Sequence, residues 1–132
     1  MVHITLFYAG LLGLLMALLS IRVPMRRAAL NAPWGDAGDL DLYTRIRAFG
    51  NFIEYAPFII LAMALLELSG AAHMALHSAG SALVFSRCAH AISLKRGDDK
   101  FWRKIARAIG AMGTWLVLVG LSLYALLLGG LS

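Results

Sequence analysis

The chain alternates between long apolar segments and short polar connections. Four of the segments are about as long as a helix that crosses a hydrocarbon core of about 30 Å. The third is rich in Ala, Ser, Gly and His, and such small residues allow helix backbones to approach closely, which favours burial in a bundle over contact with lipid. The pattern predicts an all-α membrane protein, a four-transmembrane-helix bundle. Its helices are expected at about residues 3–22, 45–68, 71–95 and 107–131.

The composition supports a membrane protein. Of the 132 residues, 61% are hydrophobic and 14% are charged, whereas a soluble domain has about 25% charged residues. The mean hydropathy of +0.77 excludes a disordered chain, a nucleic-acid-binding module and an ordinary soluble enzyme. The single cysteine, Cys88, excludes a disulfide framework and a four-thiolate metal site. We therefore expect one membrane domain over residues 1–132 that has no nucleic-acid partner.

The basic residues gather at one end of the predicted bundle. Except for Arg87, every Lys and Arg lies in or beside the first or the third connection, and the second connection, near residues 69–73, holds none. By the positive-inside rule, the first and third connections are then cytoplasmic and both termini are non-cytoplasmic. Since no cleavable signal peptide is evident, we expect a multi-pass integral membrane protein, which suits a bacterial inner membrane.

Charged side chains within the apolar segments are the candidates for chemistry. Arg47, Asn51 and Glu54 are spaced four and then three residues apart, which places them on one helix face. A carboxylate at the depth of Glu54 costs about 2.5–3.5 kcal/mol and needs a cationic partner. Arg87 lies at a similar depth and is the predicted partner, with His90 on the same face. Two interpretations stay open: a structural ion pair between helices, or a polar pocket for an anionic ligand.

Two histidines of the third segment and three glycines of the fourth also have helical spacing. His73 and His77 share a helix face and Glu67 could approach them, but no third metal ligand lies close in sequence. We interpret the two histidines as interfacial polar residues and predict no metal site. Three glycines of the fourth segment are predicted to be helix-packing positions. They are Gly110, Gly113 and Gly120.

The second segment also carries a family motif. Residues 47–57 read R-A-x-x-N-x-x-E-Y-x-P, which resembles the hallmark of the MAPEG family, the membrane-associated proteins in eicosanoid and glutathione metabolism. The R-R-A at residues 26–28 resembles the paired arginines of the leukotriene synthase branch. The R-C-A-H at residues 87–90 resembles R-x-x-[HY] of the third helix, and the R-A-I at residues 107–109 resembles the R-A-L that begins the fourth helix in microsomal glutathione transferases. The resemblance covers essentially the whole chain.

The resemblance implies a homotrimer that binds glutathione, its co-substrate, between neighbouring subunits. Arg107 or Arg26 would stabilise the glutathione thiolate, with Arg103 as an alternative for that role. A lipophilic small-molecule substrate would reach the thiolate from the membrane lipid. By position, the glutathione-binding residues would be Arg27, Arg47, Asn51, Glu54, Tyr55, Arg87 and His90.

The expected activity is that of a glutathione transferase or peroxidase acting on lipophilic electrophiles or lipid hydroperoxides. Phe49 stands where many relatives have Gln or His, and His90 and Leu94 stand where the leukotriene synthase branch has tyrosines. These departures favour a general transferase or peroxidase over leukotriene synthesis. One alternative is a non-catalytic lipid-binding or scaffold protein of the same fold. Another is a small proton-coupled multidrug exporter that uses Glu54, against which the neighbouring Arg47 and Arg87 argue.

Overall fold

The computed structural model, which describes residues 1–94 and 100–130, contains four α-helices and no strand among those residues. They are α1 (His3–Ala29), α2 (Leu40–Leu68), α3 (His73–Ser93) and α4 (Phe101–Gly130). The predicted all-α four-helix bundle is therefore confirmed. The helix ends predicted at residues 95 and 131, and the basic residues Lys95 and Arg96 of the third connection, lie outside the described residues.

The helices pack into a bundle in which α3 and α4 form the most extensive contact. α1 packs on α2 and on α3, and α2 also packs on α3 and α4, whereas α1 and α4 are not in contact within the described part of the chain. Three helices, α1, α2 and α4, are long and apolar enough to cross a membrane. α3 has 21 residues, about 31 Å of helix, so its composition rather than its length sets it apart.

Three of the helices extend further at the basic end than the hydropathy pattern predicts. α1 continues through Pro24 to Ala29 instead of ending near residue 22, α2 begins at Leu40 rather than residue 45, and α4 begins at Phe101 rather than residue 107. Proline removes one backbone hydrogen bond, but it does not oblige a helix to end. Apolar residues mark the part of a helix that lies in hydrocarbon, and the helix itself can continue into water with polar residues.

The apolar side chains divide between a narrow core and a broad outer surface. Five large core side chains are fully buried, and they are Leu42, Ile59, Met63, Leu76 and Leu83. Many other large apolar side chains are more than half exposed, among them Leu14, Phe58 and Leu116. An apolar surface of this extent is typical of helices that face lipid or a second subunit rather than water.

Two arginine–aspartate clamps lie where the end of α1 meets the start of α2: Arg26 with Asp39 joins the two segments, and Arg45 with Asp41 lies within α2. Arg26 holds Asp39 through two hydrogen bonds, from Nε to Oδ1 at 3.2 Å and from Nη2 to Oδ2 at 2.9 Å. Arg45 holds Asp41 at 2.9 Å and donates to the carbonyl oxygen of Arg22 at 3.0 Å. Asp39 also caps α2, because its Oδ1 accepts from the Leu42 amide at 2.7 Å. The clamps fix the angle between α1 and α2, and thus the position of the α2 residues that follow.

At the other end of the bundle, α2 caps α1. The Glu67 carboxylate accepts from two free amides in the first turn of α1, those of Ile4 at 2.9 Å and Thr5 at 2.8 Å. A negative charge at a helix N-terminus is stabilising, since the amides there have no partner within the helix. Glu67 is therefore engaged by α1.

Candidate functional site

Arg87 lies at the junction of three helices. The residue is only 2% exposed, and its guanidinium donates to α2 and α4 at once. Nη1 lies 2.9 Å from Asn51 Oδ1 and 3.4 Å from the Asn51 carbonyl oxygen, and Nη2 lies 3.1 Å from the Gly110 carbonyl oxygen. These acceptors are neutral, and Arg87 Nε has no hydrogen-bond partner among the described residues. Arg87 thus places a buried positive charge where α2, α3 and α4 meet.

Glu54 is not the partner of Arg87, and this prediction was wrong. Among the described residues, the ion pair that Glu54 makes is with Arg47, whose Nη1 is 4.0 Å from Glu54 Oε1. The side chains of Arg47 and Glu54 are 55% and 49% exposed, so the pair is loose and accessible. Equal depth in two helices does not imply contact, because each side chain also has a direction around its helix axis. Arg87 points between α2 and α4, and Glu54 lies on the open side of α2.

We call Arg47, Asn51 and Glu54 the polar ridge. The ridge lies on one face of α2, and its two end residues, Arg47 and Glu54, are exposed. The hydrogen bond to Arg87 fixes the Asn51 amide with its oxygen turned inward. The two N–H donors of that amide are then left for another group. The ridge offers a guanidinium, an amide and a carboxylate in sequence along about 10 Å of helix. Among the described residues, the ion pair of Arg87 with Glu54 that the first interpretation needs is absent, and a pocket for an anionic ligand stays a prediction.

Gly110 brings α4 close to His90 of α3. A Cβ added at Gly110 would lie 2.7 Å from both the Cβ and the backbone nitrogen of His90, so α3 and α4 are in close contact there. Arg107 precedes Gly110 by three residues, about 4.5 Å along the axis. It is exposed and makes no hydrogen bond or ion pair with the residues that the structure describes. Its guanidinium is therefore available for an anion.

The remaining predicted residues differ in their surroundings. Arg26 is engaged by Asp39, and its Nε is also 3.4 Å from Asp41. Arg27 donates from Nη1 to the Pro33 carbonyl oxygen at 2.9 Å, within the first connection. Within one chain, the described contacts do not join either arginine to the polar ridge. Tyr55 is half-buried and packs against the apolar core.

At the other end of the bundle, His77 takes part in a hydrogen-bonded cluster, and His73 is exposed at the start of α3. The Tyr8 hydroxyl lies 3.2 Å from His77 Nδ1 and 2.8 Å from Ser81 Oγ, and it donates to the His77 carbonyl oxygen at 3.1 Å. Glu67 is engaged with the start of α1. No group of three or more His, Cys, Asp or Glu that could hold a metal ion occurs in the described part of the chain.

Sequence reasoning missed the backbone acceptors that hold Arg87 and the acidic residues that hold Arg26 and Arg45. The pattern of side chains does not show which carbonyl oxygens will accept hydrogen bonds. The only sequence feature that pointed to the acceptors of Arg87 was the glycine at position 110. The clamps did have a signal, since Asp39 and Asp41 stand in a connection flanked by arginines on both sides. Opposite charges in so short a connection are expected to meet.

Comparison with known proteins gives a family and a relative. The sequence model of the MAPEG family matches residues 5–127. The inner membrane protein YecN of Escherichia coli is 30% identical to the chain over 116 residues, which are 88% of this chain and 85% of YecN. The match is the same for strains K12 and CFT073. No solved structure matches the chain.

Proposed function

Because the chain belongs to the MAPEG family, we propose that it is an integral membrane glutathione transferase or peroxidase. It would bind glutathione near the basic end of the bundle and activate the thiol towards lipophilic electrophiles or lipid hydroperoxides. The observation that carries this proposal is the junction at Arg87, which holds Asn51 of α2 and Gly110 of α4 on one guanidinium. The junction links Asn51 of the polar ridge to Gly110, which follows Arg107 by three residues on α4.

The polar ridge has the charges that glutathione requires. The peptide has two carboxylates, one ammonium group and amide bonds. Arg47 would hold a carboxylate, Asn51 would donate to a backbone carbonyl of the peptide, and Glu54 would accept from the ammonium group. The loose contact between Arg47 and Glu54, at 4.0 Å, would open to admit these groups at little cost. Arg87 would act as a positioning residue that orients Asn51, since its Nη1 and Nη2 groups both donate within the bundle.

Arg107 is the better candidate for activating the thiol. The reference pKa of a thiol is about 8.5, and a nearby guanidinium lowers the pKa and raises the fraction of thiolate, the nucleophile. Arg26 is neutralised by two aspartates, and Arg103 donates to the Ile92 carbonyl oxygen at 2.8 Å. Arg107 is exposed on α4, three residues before the Gly110 whose carbonyl oxygen accepts from Arg87, and an anionic sulfur could meet its guanidinium there.

Two reactions follow from a glutathione thiolate held in this way. In conjugation, the sulfur forms a bond to an electrophilic carbon and the leaving group departs with the electron pair. In peroxide reduction, the sulfur attacks the hydroperoxide, the O–O bond breaks and the lipid alcohol leaves after protonation. The resulting sulfenic acid of glutathione then reacts with a second glutathione to give the disulfide and water. In both cases the lipophilic substrate would arrive from the membrane.

The assembly and the location form part of the proposal. A homotrimer would place Arg27 and His90 beside the ridge at a subunit boundary and would cover part of the exposed apolar surface of the helices. The distribution of basic residues favours a cytoplasmic position for the first connection and non-cytoplasmic termini. The relative in Escherichia coli is an inner membrane protein, and we place this chain in the same type of membrane.

The direct test is ultraviolet absorbance of the purified protein mixed with glutathione in a stopped-flow instrument. A thiolate band should appear with the unmodified protein and should be lost in Arg107→Ala, while glutathione binding measured by equilibrium dialysis is retained. Lys104→Ala is the matched control, because Lys104 is an exposed cation one turn before Arg107 on the same helix. Loss of the band in Arg26→Ala or Arg103→Ala, but not in Arg107→Ala, would show that the role is assigned to the wrong arginine.

The same measurement separates the alternatives. A non-catalytic lipid-binding or scaffold protein would form no thiolate at any glutathione concentration. An exporter regains some support from the accessibility of Glu54, since Arg87 does not neutralise it. Drug-driven proton flux in liposomes that is lost in Glu54→Gln, together with the absence of a thiolate band, would favour the exporter and overturn the transferase proposal.

A further inference from the structure

A groove of about 410 Å³ lies between α2 and α4, in the half of the bundle away from the basic end. Its volume falls within the range of about 300–1,000 Å³ that is usual for small-molecule sites. Its lining residues are Phe58, Leu61, Ala62 and Leu65 of α2 and Ser122, Ala125 and Leu126 of α4. None of these residues belongs to the polar ridge, so the groove is a separate concave surface on the same two helices.

The groove is apolar and accessible from the side of the bundle. Three of its lining residues are small, and the large ones, such as Phe58 and Leu126, are 57% and 71% exposed. The hydroxyl of Ser122 donates to the Leu118 carbonyl oxygen at 2.8 Å within α4. The described lining residues therefore offer an occupant an apolar surface and no free hydrogen-bonding side chain.

The groove continues the face of α2 that carries the polar ridge. The next residues on this face come four, seven and eleven positions after Glu54, and they are Phe58, Leu61 and Leu65. At 100° per residue, all three point within about 40° of the direction of Glu54 around the helix axis. Phe58 lies about 6 Å and Leu65 about 16 Å beyond Glu54 along that axis. One face of α2 is thus polar from Arg47 to Glu54 and apolar from Phe58 to Leu65.

α4 turns the groove towards the side that carries Arg107. α2 and α4 run in the same direction, because the Arg87 junction joins their first halves and the groove joins their second halves. Ala125 follows Arg107 by eighteen residues, which is five full turns, so the two residues point in the same direction from α4. A molecule that lies along the groove therefore has one end towards the polar ridge and the exposed cation.

We infer that the groove holds the apolar chain of the lipophilic co-substrate, with the reactive group at the end of the chain next to Glu54. The inference rests on the proposed function, since it needs glutathione on the polar ridge. The sulfur of a glutathione held there lies on the basic side of the groove, so it meets only the end of a chain that fills the groove. This geometry favours an electrophile at one end of an unbranched chain, such as a 2-alkenal, over a hydroperoxide in the middle of an acyl chain.

The conjugation of a 2-alkenal needs no oxidant or reductant. The thiolate sulfur forms a bond to the β-carbon, and the π bond between the α- and β-carbons breaks. The electron pair moves to the carbonyl oxygen and gives an enolate. A proton from water then adds to the α-carbon and restores the aldehyde, which replaces the proton that the thiol released. The carbons beyond the β-carbon stay in the groove throughout.

The test compares trans-2-dodecenal with acrolein, which has the same reactive group and no chain. Loss of the enal absorbance is followed with the purified protein and glutathione in one detergent. Leucine in Ala62→Leu fills the groove, and a misfit of a few carbons in an apolar pocket costs about 10–200-fold. We expect the ratio of kcat/KM for trans-2-dodecenal to that for acrolein to fall about tenfold or more in this variant. Ala82→Leu is the matched control, because Ala82 is an exposed alanine of α3 that does not line the groove, and its ratio should not change.

A second variant and two controls separate the outcomes. Ala125→Leu fills the groove from an exposed position of α4, where added volume does not strain the core, and it should lower the ratio in the same way. If the unmodified protein forms the thiolate and conjugates acrolein, but neither variant lowers the ratio, only the inference about the groove is overturned. If no thiolate forms, the proposed function fails and the inference fails with it. An equal fall in Ala82→Leu, or a smaller assembly of the groove variants in native mass spectrometry, would also overturn the inference, the latter because a neighbouring subunit then occupies the groove.

Discussion

Replacing Gly110 by alanine is expected to disrupt the junction between α3 and α4. The added methyl group would lie 2.7 Å from the backbone nitrogen of His90 and 2.8 Å from the carbonyl oxygen of Ser86. Both are backbone atoms, so no side chain can rotate away and the two helices must separate by several tenths of an ångström. That movement also lengthens the hydrogen bond of 3.1 Å between Arg87 and the Gly110 carbonyl oxygen.

The expected change in the free energy of unfolding of Gly110→Ala is the difference between two opposing effects. Overpacking of a well-packed contact costs about 1–3 kcal/mol. Alanine is more favourable than glycine within a helix by about 0.8–1 kcal/mol, which offsets part of that cost. Gly120→Ala is the matched control on the same helix, because an added Cβ at Gly120 has no atom within 4 Å. The control gains only the propensity effect, so the two variants should differ in free energy of unfolding by about 1–3 kcal/mol.

The assay is unfolding in mixed micelles with a rising fraction of sodium dodecyl sulfate, followed by tryptophan fluorescence. Gly110→Ala should unfold at a lower fraction than the unmodified protein, and Gly120→Ala at the same or a higher fraction. If Gly110→Ala is as stable as Gly120→Ala, the close approach of α3 and α4 at this position is refuted. The junction that positions the proposed site would then have no support from packing.

Three other substitutions test separate parts of the structure. Glu67→Gln removes the charge that caps α1 and should lower the free energy of unfolding by about 1 kcal/mol, with faster hydrogen exchange at the Ile4 and Thr5 amides; unchanged exchange there would contradict the cap. Arg47→Ala should weaken glutathione affinity in equilibrium dialysis and change stability by less than about 0.5 kcal/mol, since the side chain is exposed, and unaltered affinity removes Arg47 from the site. Arg87→Lys keeps the charge but cannot hold α2 and α4 with one planar group, so it should lower the free energy of unfolding by about 2 kcal/mol in the micelle titration; stability like that of the unmodified protein would argue against the junction.

The four helices could be predicted from the sequence because the driving force for each is local. A segment of about 20 apolar residues must satisfy its backbone hydrogen bonds internally in hydrocarbon, and a helix does so without reference to the rest of the fold. The helix ends were harder to predict. The extension of α1 to Ala29 carries only two polar residues and contains Pro24, so its composition does not predict a helix, and the clamp from Arg26 to Asp39 that supports it joins residues 13 positions apart.

For the candidate site, the sequence predicted which residues of one helix share a face, but not which residues of different helices are in contact. The spacing of Arg47, Asn51 and Glu54 placed them on one face, since a helix fixes the relative direction of its own side chains. The partner of Arg87 was not predictable in this way, because the rotation of one helix about its axis relative to another is set by packing. Glycines illustrate the same limit. Gly110 is a close-packing position, as predicted, whereas Gly120 has open space around it.

The basic end of the bundle contains arginines in three different electrostatic situations, and the situation of each arginine determines whether it can bind an external anion. Arg26 and Arg45 are paired with aspartates and stabilise the connection between α1 and α2. Arg87 is buried among neutral acceptors, so it stabilises the junction of three helices without a carboxylate. Arg107 and Arg22 are exposed and have no partner among the described residues. An arginine of the last kind can meet an external anion without first giving up an aspartate or a buried acceptor, which is why the thiolate is proposed at Arg107.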